Sequence, residues 1–445
     1  MKRHILIVVL AFLTLGLAAQ NTDVLTLDSC FALAKANNAQ FKTNKLQIEQ
    51  AQQVKKQVFT KYFPQVTANY MAYYAVNPLI EYGIDQFSSD HFGQILKAII
   101  ETLNNMGLGI PTEVAFLQQG QSVSATLVQP VFACGRIITG NKLAKLGIEA
   151  AELQAEVSER DVLEDIESTY YLVVGLKAKV ATLESALVLI DSLDHTVDVA
   201  LKAGLVTKND QLRVAMKRNE LKALQLQLNN GIVLASQLLC QQIGIDYPED
   251  GLNLDNDLNT HENYYVQNDD FVRPEIQLLQ LQIDAEVFYK RMARGEALPE
   301  IGVGAAVNYG DMLQKYYKGN AIFFARVKVP LTQWWETAHK IKQHNLKIEQ
   351  YQIVQQDLTE KMSLQEKQAY NQMVEAEALL ESDKASLAMA QDNYHVAEVN
   401  YRAGMNTISD VLEANALLLQ AQNVITDRQI SYVSARRRYH DLTGK

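Results

Sequence analysis

The chain is poor in the features that mark most enzymes and most secreted disulfide scaffolds. It has three cysteines, Cys30, Cys134 and Cys240, widely spaced and odd in number, which argues for packed small side chains rather than a disulfide framework. It has no phosphate-binding glycine loop, no HExxH, no paired CxxC and no nucleophile elbow, so catalysis, nucleotide use and a cofactor are not expected. His195 and His395 fall beside a helical seam and read as solvated. His339 and His344 are five apart, the wrong spacing for a ligand pair on one helix face, so no metal is expected. Basic residues are outnumbered 41 to 51 and the formal net charge is −10. That balance disfavours nucleic acid as a partner. Beyond the first residues no run of 18 apolar residues occurs, which excludes a membrane-spanning helix. Any entry into a bilayer must then be as a barrel.

Prolines number only eight, and their placement is informative. None lies between Arg136 and Lys202 or between Glu336 and Arg402. At about 1.5 Å per residue, each such stretch makes a helical rod of roughly 100 Å. Four prolines, Pro64, Pro130, Pro299 and Pro330, mark places where helical spacing gives way to alternation. Such boundaries suit a residue that donates no backbone hydrogen bond.

What the chain does have is one long segment written twice. Pro130 to Gly244 recurs as Pro330 to Gly444 at a constant offset of 200 positions, with identities at Lys142/Lys342, Glu149/Glu349, Tyr170/Tyr370, Leu187/Leu387, Gly204/Gly404, Thr207/Thr407 and Asp210/Asp410. A period this long means two copies of a large supersecondary unit. Within the first copy, Val173, Leu176, Val180, Leu183, Leu187, Ile190, Val197 and Leu201 form a heptad broken at Asp194. In the second, Met373, Leu380, Leu387, Tyr394 and Tyr401 alternate with Ala376, Ala390 and Ala397, broken at Asp383. A sustained seven-residue repeat keeps one seam facing a partner helix, and alanines let the backbones come close.

Taken in order, the chain opens with Lys2, Arg3, the apolar run Ile5 to Leu17 and small residues at Ala18 and Ala19, the pattern of a cleaved secretory leader over 1–20. Its loss leaves the mature chain still more acidic. Helices are expected over 21–63, with Leu27, Phe31 and Ala34 on one face of the first. Residues 64–131 hold a strand pair, Val66 to Val76 and Gln121 to Gln129, the second ending at Pro130. A long outward connection joins them and carries a short amphipathic helix, Ile95 to Leu103. A helical hairpin follows over 132–244, then an acidic connecting region over 245–270 and a helix over 271–298. The second strand pair, Ile301 to Tyr309 and Ala321 to Val329, occupies 299–331, and the second hairpin 332–445. Each strand has about the 9 to 11 residues that a tilted barrel strand needs to cross hydrocarbon. Tyr62, Phe63, Phe132, Trp334 and Trp335 cluster at the strand ends, where aromatics anchor at a lipid interface or cap a core.

At the far end of each rod the sequence turns, as KAGLVTKNDQL from Lys202 and RAGMNTISDVL from Arg402. Gly204 and Gly404 supply the backbone freedom of a helix C-terminus, and Thr, Ser and Asp follow as N-cap candidates.

The duplication, the proline-bounded strand pairs, the opening LTLDSCFALAKANN and the two turn motifs together resemble the TolC-type outer-membrane efflux proteins, over essentially the whole mature chain. The resemblance implies a mainly α fold with a small β part. A homotrimer would contribute four strands per chain to a 12-stranded barrel in outer-membrane lipid, above a coiled-coil tunnel in the periplasm. It implies a passive exit duct for efflux or type I secretion, docked to a periplasmic adaptor and an inner-membrane pump. By position, Asp410 and Glu413 become candidates for an acidic ring at the aperture. They share a helix face, and both also fit a plain capping acid and a solvated first-turn acid. Lys202, Gly204, Asp210, Arg402, Gly404 and Asn406 become candidates for adaptor contact. The family often carries an arginine where this chain has Asn406, so a closed-state latch would need another residue, such as Arg402 or Lys208. The competing reading is a periplasmic adaptor or coiled-coil scaffold without a pore of its own.

Overall fold

The computed structural model describes residues 24–77, 80–83, 91–110, 113–116, 119–255, 272–311 and 317–443. The leader expected over 1–20 and most of the acidic connecting region lie outside these residues. The chain falls into two compact units, one comprising 1–49, 149–280 and 352–445 and the other 50–148 and 281–351.

The first unit is helical. Helix α1, Leu27–Asn37, starts at Thr26, whose hydroxyl accepts from the Ser29 backbone at 3.2 Å, the standard way to satisfy an orphan amide. It buries Leu27, Cys30 and Ala34, while Phe31 is half-buried against the same core. That core also takes Ile166, Tyr170 and Val173 from α4, Arg136–Lys202, and Leu239, Cys240 and Ile243 from α5, Lys208–Ile243. Cys30 and Cys240 are free thiols within it, and burial pushes Cys30 up to about 12, with Cys240 adding to the shift. Gly244 ends α5 with φ of 73°, and a Cβ there would meet Asn37 Cβ at 2.6 Å. Glycine is required on both counts.

The second copy contributes α7, Gln333–Arg402, and α8, Ile408–Thr443. Near the turns the four hairpin helices share one core, with Leu183, Ala186, Ile190, Leu193 and Val197 from α4, Val214 and Leu221 from α5, Ala397 from α7, and Ile408, Val411 and Ala414 from α8. This corrects the phase of the first heptad. Leu183, Ile190 and Val197 do face inward, but the alternate row is Ala186 and Leu193, one residue before Leu187 and Asp194. Asp194 therefore does not interrupt the seam. A leucine beside it fills that place, and Leu187 is only half-buried. In the second copy Met362, Ala369, Ala376 and Ala397 are buried at heptad spacing, and Asp383 does stand in that row. Its carboxylate accepts from Arg428 Nε of α8 at 2.8 Å, so the break in the apolar pattern is an ion pair across the hairpin.

The second unit carries the sheet. Strands β1, Gln65–Tyr74, β4, Gln119–Phe132, β5, Glu300–Asp311, and β6, Tyr317–Lys328, form one antiparallel sheet in the order β1-β4-β5-β6. The insertion between β1 and β4 adds a separate pair, β2, Ile80–Gly83, with β3, Glu113–Phe116, flanking helix α3, His91–Asn105. Helix α3 exposes Phe92, Ile95, Leu96 and Ile99. Contrary to expectation, β4 does not end at Pro130. Pairing with β1 stops at Val128, and Pro130 sits beyond it, paired only to β5, where a register shift falls between Pro130 and Phe132. A residue without an amide proton is tolerated on an open edge or at a bulge.

Helix α2, Ala39–Phe59, leads through a 3₁₀ turn, Thr60–Tyr62, into β1, and α6, Pro274–Glu296, leads into β5. Pro274 at the first helical position loses nothing, because its amide would be unsatisfied there anyway. Within this unit α6 meets α7 through polar pairs. Glu286, nearly buried, holds His344 Nδ1 at 2.6 Å and Lys347 at 3.3 Å, and Lys340 reaches Glu296 at 3.3 Å.

Candidate channel sites: the sheet faces and the turn tips

The register of the sheet sorts its side chains by chemistry. Val66, Leu127, Ala305 and Phe323 stand in one row across the four strands, and Ala68, Ala125, Val307 and Ala321 in the next. Tyr70, Val123, Tyr309 and Gly319 form a third. On the opposite face the rows are Thr67, Thr126, Ala306 and Ile322, then Asn69, Ser124, Asn308 and Asn320. The apolar face is exposed, Phe323 to 85% and Val66 to 66%. An apolar surface this continuous is not left in water. Alternation of apolar and polar faces along ten-residue strands is the signature of a membrane barrel wall. Among the described residues β1 pairs only with β4 and β6 only with β5, so the outer edges of both carry unsatisfied backbone groups, which lipid does not tolerate.

The boundary aromatics lie where the strands meet the helices. Trp334 is half exposed and donates its indole N–H to Ala297 O at 2.7 Å, and Trp335 is 75% exposed. Tyr62 and Phe63 are exposed and pack their rings on Phe59 at 5.5 and 5.6 Å. A ring fixed at one end and bare at the other suits an interface that is wet on one side.

At the tips the two turns are near copies. Gly204 and Gly404 have φ of 74° and 76°, and Leu205 and Met405 beyond them are exposed. Thr207 caps α5 with Asp210 returning the favour, a reciprocal capping box. In the second turn the same acid, Asp410, accepts from Thr407 N at 2.8 Å and Thr407 Oγ1 at 2.9 Å. These bonds hold the Asp410 carboxyl below the usual carboxylate range, the backbone bond to Thr407 first. The Asp410 carboxylate is thus folded back on its own helix, while Glu413, one turn on, is exposed.

Lys202 pairs with Asp198 at 2.6 Å and Arg402 with Glu398 at 2.6 Å, each along its own helix. Lys208 bonds Gln211, also locally, and Asn406 N reaches Asn400 O at 3.4 Å. None of these four links the two hairpins. Near the tips a link is made by Arg213, whose Nη1 donates to Ser409 Oγ in the first turn of α8. Sequence reading missed it, although a signal was there: Arg213 and Glu413 occupy equivalent places in the two copies with opposite charge.

His195 and His395 are exposed, and among the described residues no group of three metal-ligating side chains comes together.

Residues 272–445 match the family model described as outer membrane efflux protein. No curated protein matches the chain by sequence. Among solved structures, the outer membrane protein VceC of Vibrio cholerae is similar with a TM-score of 0.70 at 14% identity, covering 94% of this chain and 96% of that one. The CmeC outer membrane channel of Campylobacter jejuni is similar with a TM-score of 0.73 at 15% identity, over 94% and 85%. The Neisseria gonorrhoeae MtrE outer membrane channel, solved in its open state, is similar with a TM-score of 0.70 at 14% identity, over 94% and 88%. The chain thus matches the outer membrane efflux protein model over residues 272–445 and shares the fold of these outer membrane channels over nearly all of its length.

Proposed function

We propose that the chain is one third of a trimeric, passive exit duct. Its sheet would join two others in a closed 12-stranded outer-membrane barrel, and its hairpins would line a periplasmic tunnel. The observation that carries this reading is the sheet itself, an exposed apolar face opposite a polar one, with two outer edges that pair with no strand among the described residues. Strands from neighbouring copies satisfy those edges, lipid covers the apolar rows, and the polar rows line a lumen. An adaptor or scaffold without a pore leaves the apolar rows with no solvent to face.

The tips are the docking end. Lys202, Gly204, Asp210, Arg402, Gly404 and Asn406, with the bare side chains of Leu205 and Met405, would meet a periplasmic adaptor, which in turn couples the duct to an inner-membrane pump for efflux or type I secretion. Asp410 and Glu413 would ring the aperture, Glu413 as the free charge and Asp410 as the acid that fixes the turn. The bond from Arg213 to Ser409 takes the place of the missing arginine at Asn406 in tying the two tips together.

Carbonate washing of outer-membrane fractions, followed by reconstitution of the retained protein in planar bilayers, tests this reading. Retention with a discrete conductance is expected. Release by carbonate as a monomer without conductance would end it.

A further inference from the structure

The polar face of the sheet is not uniform in charge. Along β1 and β4 it carries Gln65, Thr67, Asn69, Ser122, Ser124 and Thr126, all neutral. Toward the end of β6 that leads into α7 it turns basic. Arg326 stands opposite Gly302 and Lys328 opposite Glu300. The one acid in these two rows is already engaged, since Arg136 Nη2 holds the Glu300 carboxylate at 2.6 Å. Arg326 and Lys328 are both exposed, and among the described residues neither has an ion-pair partner. This is the reverse of the chain as a whole, which carries a formal charge of −10.

The neighbouring glycines decide how these groups stand. A Cβ added at Gly304 would meet the ring of Phe324 at 2.5 Å, so that ring lies flat along the wall. At Gly302 an added Cβ would meet only Gln129 O at 3.4 Å and Val128 Cγ1 at 3.7 Å. The Arg326 side chain therefore does not lie over Gly302 on the strand opposite. An exposed guanidinium and ammonium without ion-pair partners among the described residues, on strands rather than on a loop, are placed to take oxyanions.

We propose that Arg326 and Lys328 form a basic belt at the helix-proximal end of the barrel lumen, a binding station for cargo that carries carboxylate, phosphate or sulfate groups. The proposal rests on the duct reading, because only a closed barrel makes this face a lumen. Three chains would bring six cations around one axis, each within reach of a partly dehydrated anion where screening is weaker than in bulk.

The test uses full-length protein in planar bilayers, with sodium tripolyphosphate added to the barrel side. Wild-type current is expected to be blocked, and Arg326→Gln with Lys328→Gln is expected to raise the half-blocking concentration about tenfold or more, while Arg326→Lys retains most of the block. Equal block of wild type and the double variant would overturn the belt and leave the duct standing. A wild-type protein that inserts but never conducts would overturn the duct reading and the belt with it.

Discussion

Arg213 and Glu413 hold equivalent positions in the two copies, yet only Arg213 reaches across, its guanidinium donating to Ser409 Oγ in the first turn of the opposite hairpin. A single exposed bond of this kind contributes about 0.5–1 kcal/mol. In the proposed trimer, three of them around the aperture would bias a tip rather than lock it. Arg213→Ala is expected to raise single-channel conductance and the cleavage of the tips by added protease. Conductance unchanged from wild type would show that this bond does not restrain the tips.

The two acids of the second tip should behave differently. Asp410 is held on Thr407 and its carboxyl lies below the usual range, whereas Glu413 is exposed. Glu413→Gln is expected to lower cation preference more than Asp410→Asn does. Asp410→Asn should instead loosen the turn, seen as faster amide exchange from Thr407 to Val411. Because the Asp410 pKa is depressed in the folded state, its share of stability is present above the ordinary carboxylate pKa and is lost as pH falls through the lowered value. Equal loss of selectivity in both variants would refute this division of labour.

The corrected heptad phase has an energetic consequence. Leu193 is 8% exposed at its seam position, and Leu187, which the pattern alone had favoured, is half-buried. Leu193→Ala should cost about 2–4 kcal/mol and Leu187→Ala less than half of that. Thermal unfolding of the two variants in the same detergent decides it; a larger loss at Leu187 would restore the other phase.

Asp383 and Arg428 meet at 2.8 Å in a row otherwise kept by alanine and methionine. Asp383→Ala leaves the arginine uncompensated in a half-buried seam, at a cost of about 1–2 kcal/mol. Adding Arg428→Met should recover most of that loss. A double variant less stable than the single one would mean that the pair does more than satisfy itself.

Glu167 gives the helical unit a pH dependence. It is 6% exposed, and burial pushes its carboxyl from 4.5 to about 7, with Arg437 at 3.6 Å opposing and Asp441 and Glu164 adding. The folded pKa lies above the unfolded one, so this contribution is complete below pH 4.5 and is lost as pH rises through about 7. Glu167→Gln should flatten the decline in melting temperature over that range and stabilise the protein above neutrality. A variant that keeps the wild-type slope would assign the dependence elsewhere.

Much of this architecture was legible in the chain before any coordinates. Helices and strands announce themselves through different periods, and a duplicated pattern reports itself wherever selection on packing keeps the same residue in both copies, as at Gly204/Gly404 and Thr207/Thr407. Alternation alone separated the apolar rows of Val66 and Phe323 from the polar rows of Thr67 and Ser124. Proline was a weaker guide. Pro130 reads as a strand end because proline cannot join a ladder on both sides, but whether a second side exists depends on where β1 stops.

The sequence by itself determined the element types, their order, their approximate lengths and the polarity of each face, because these follow from local periodicity and from which residues water rejects. Tertiary structure alone decided which of two adjacent residues fills a seam, as with Leu193 over Asp194, and which polar groups find each other across elements, as with Arg213 and Ser409 or Asp383 and Arg428. A helix turns 100° per residue, so neighbouring positions compete for the same contact, and only the partner helix, far away in the chain, selects between them.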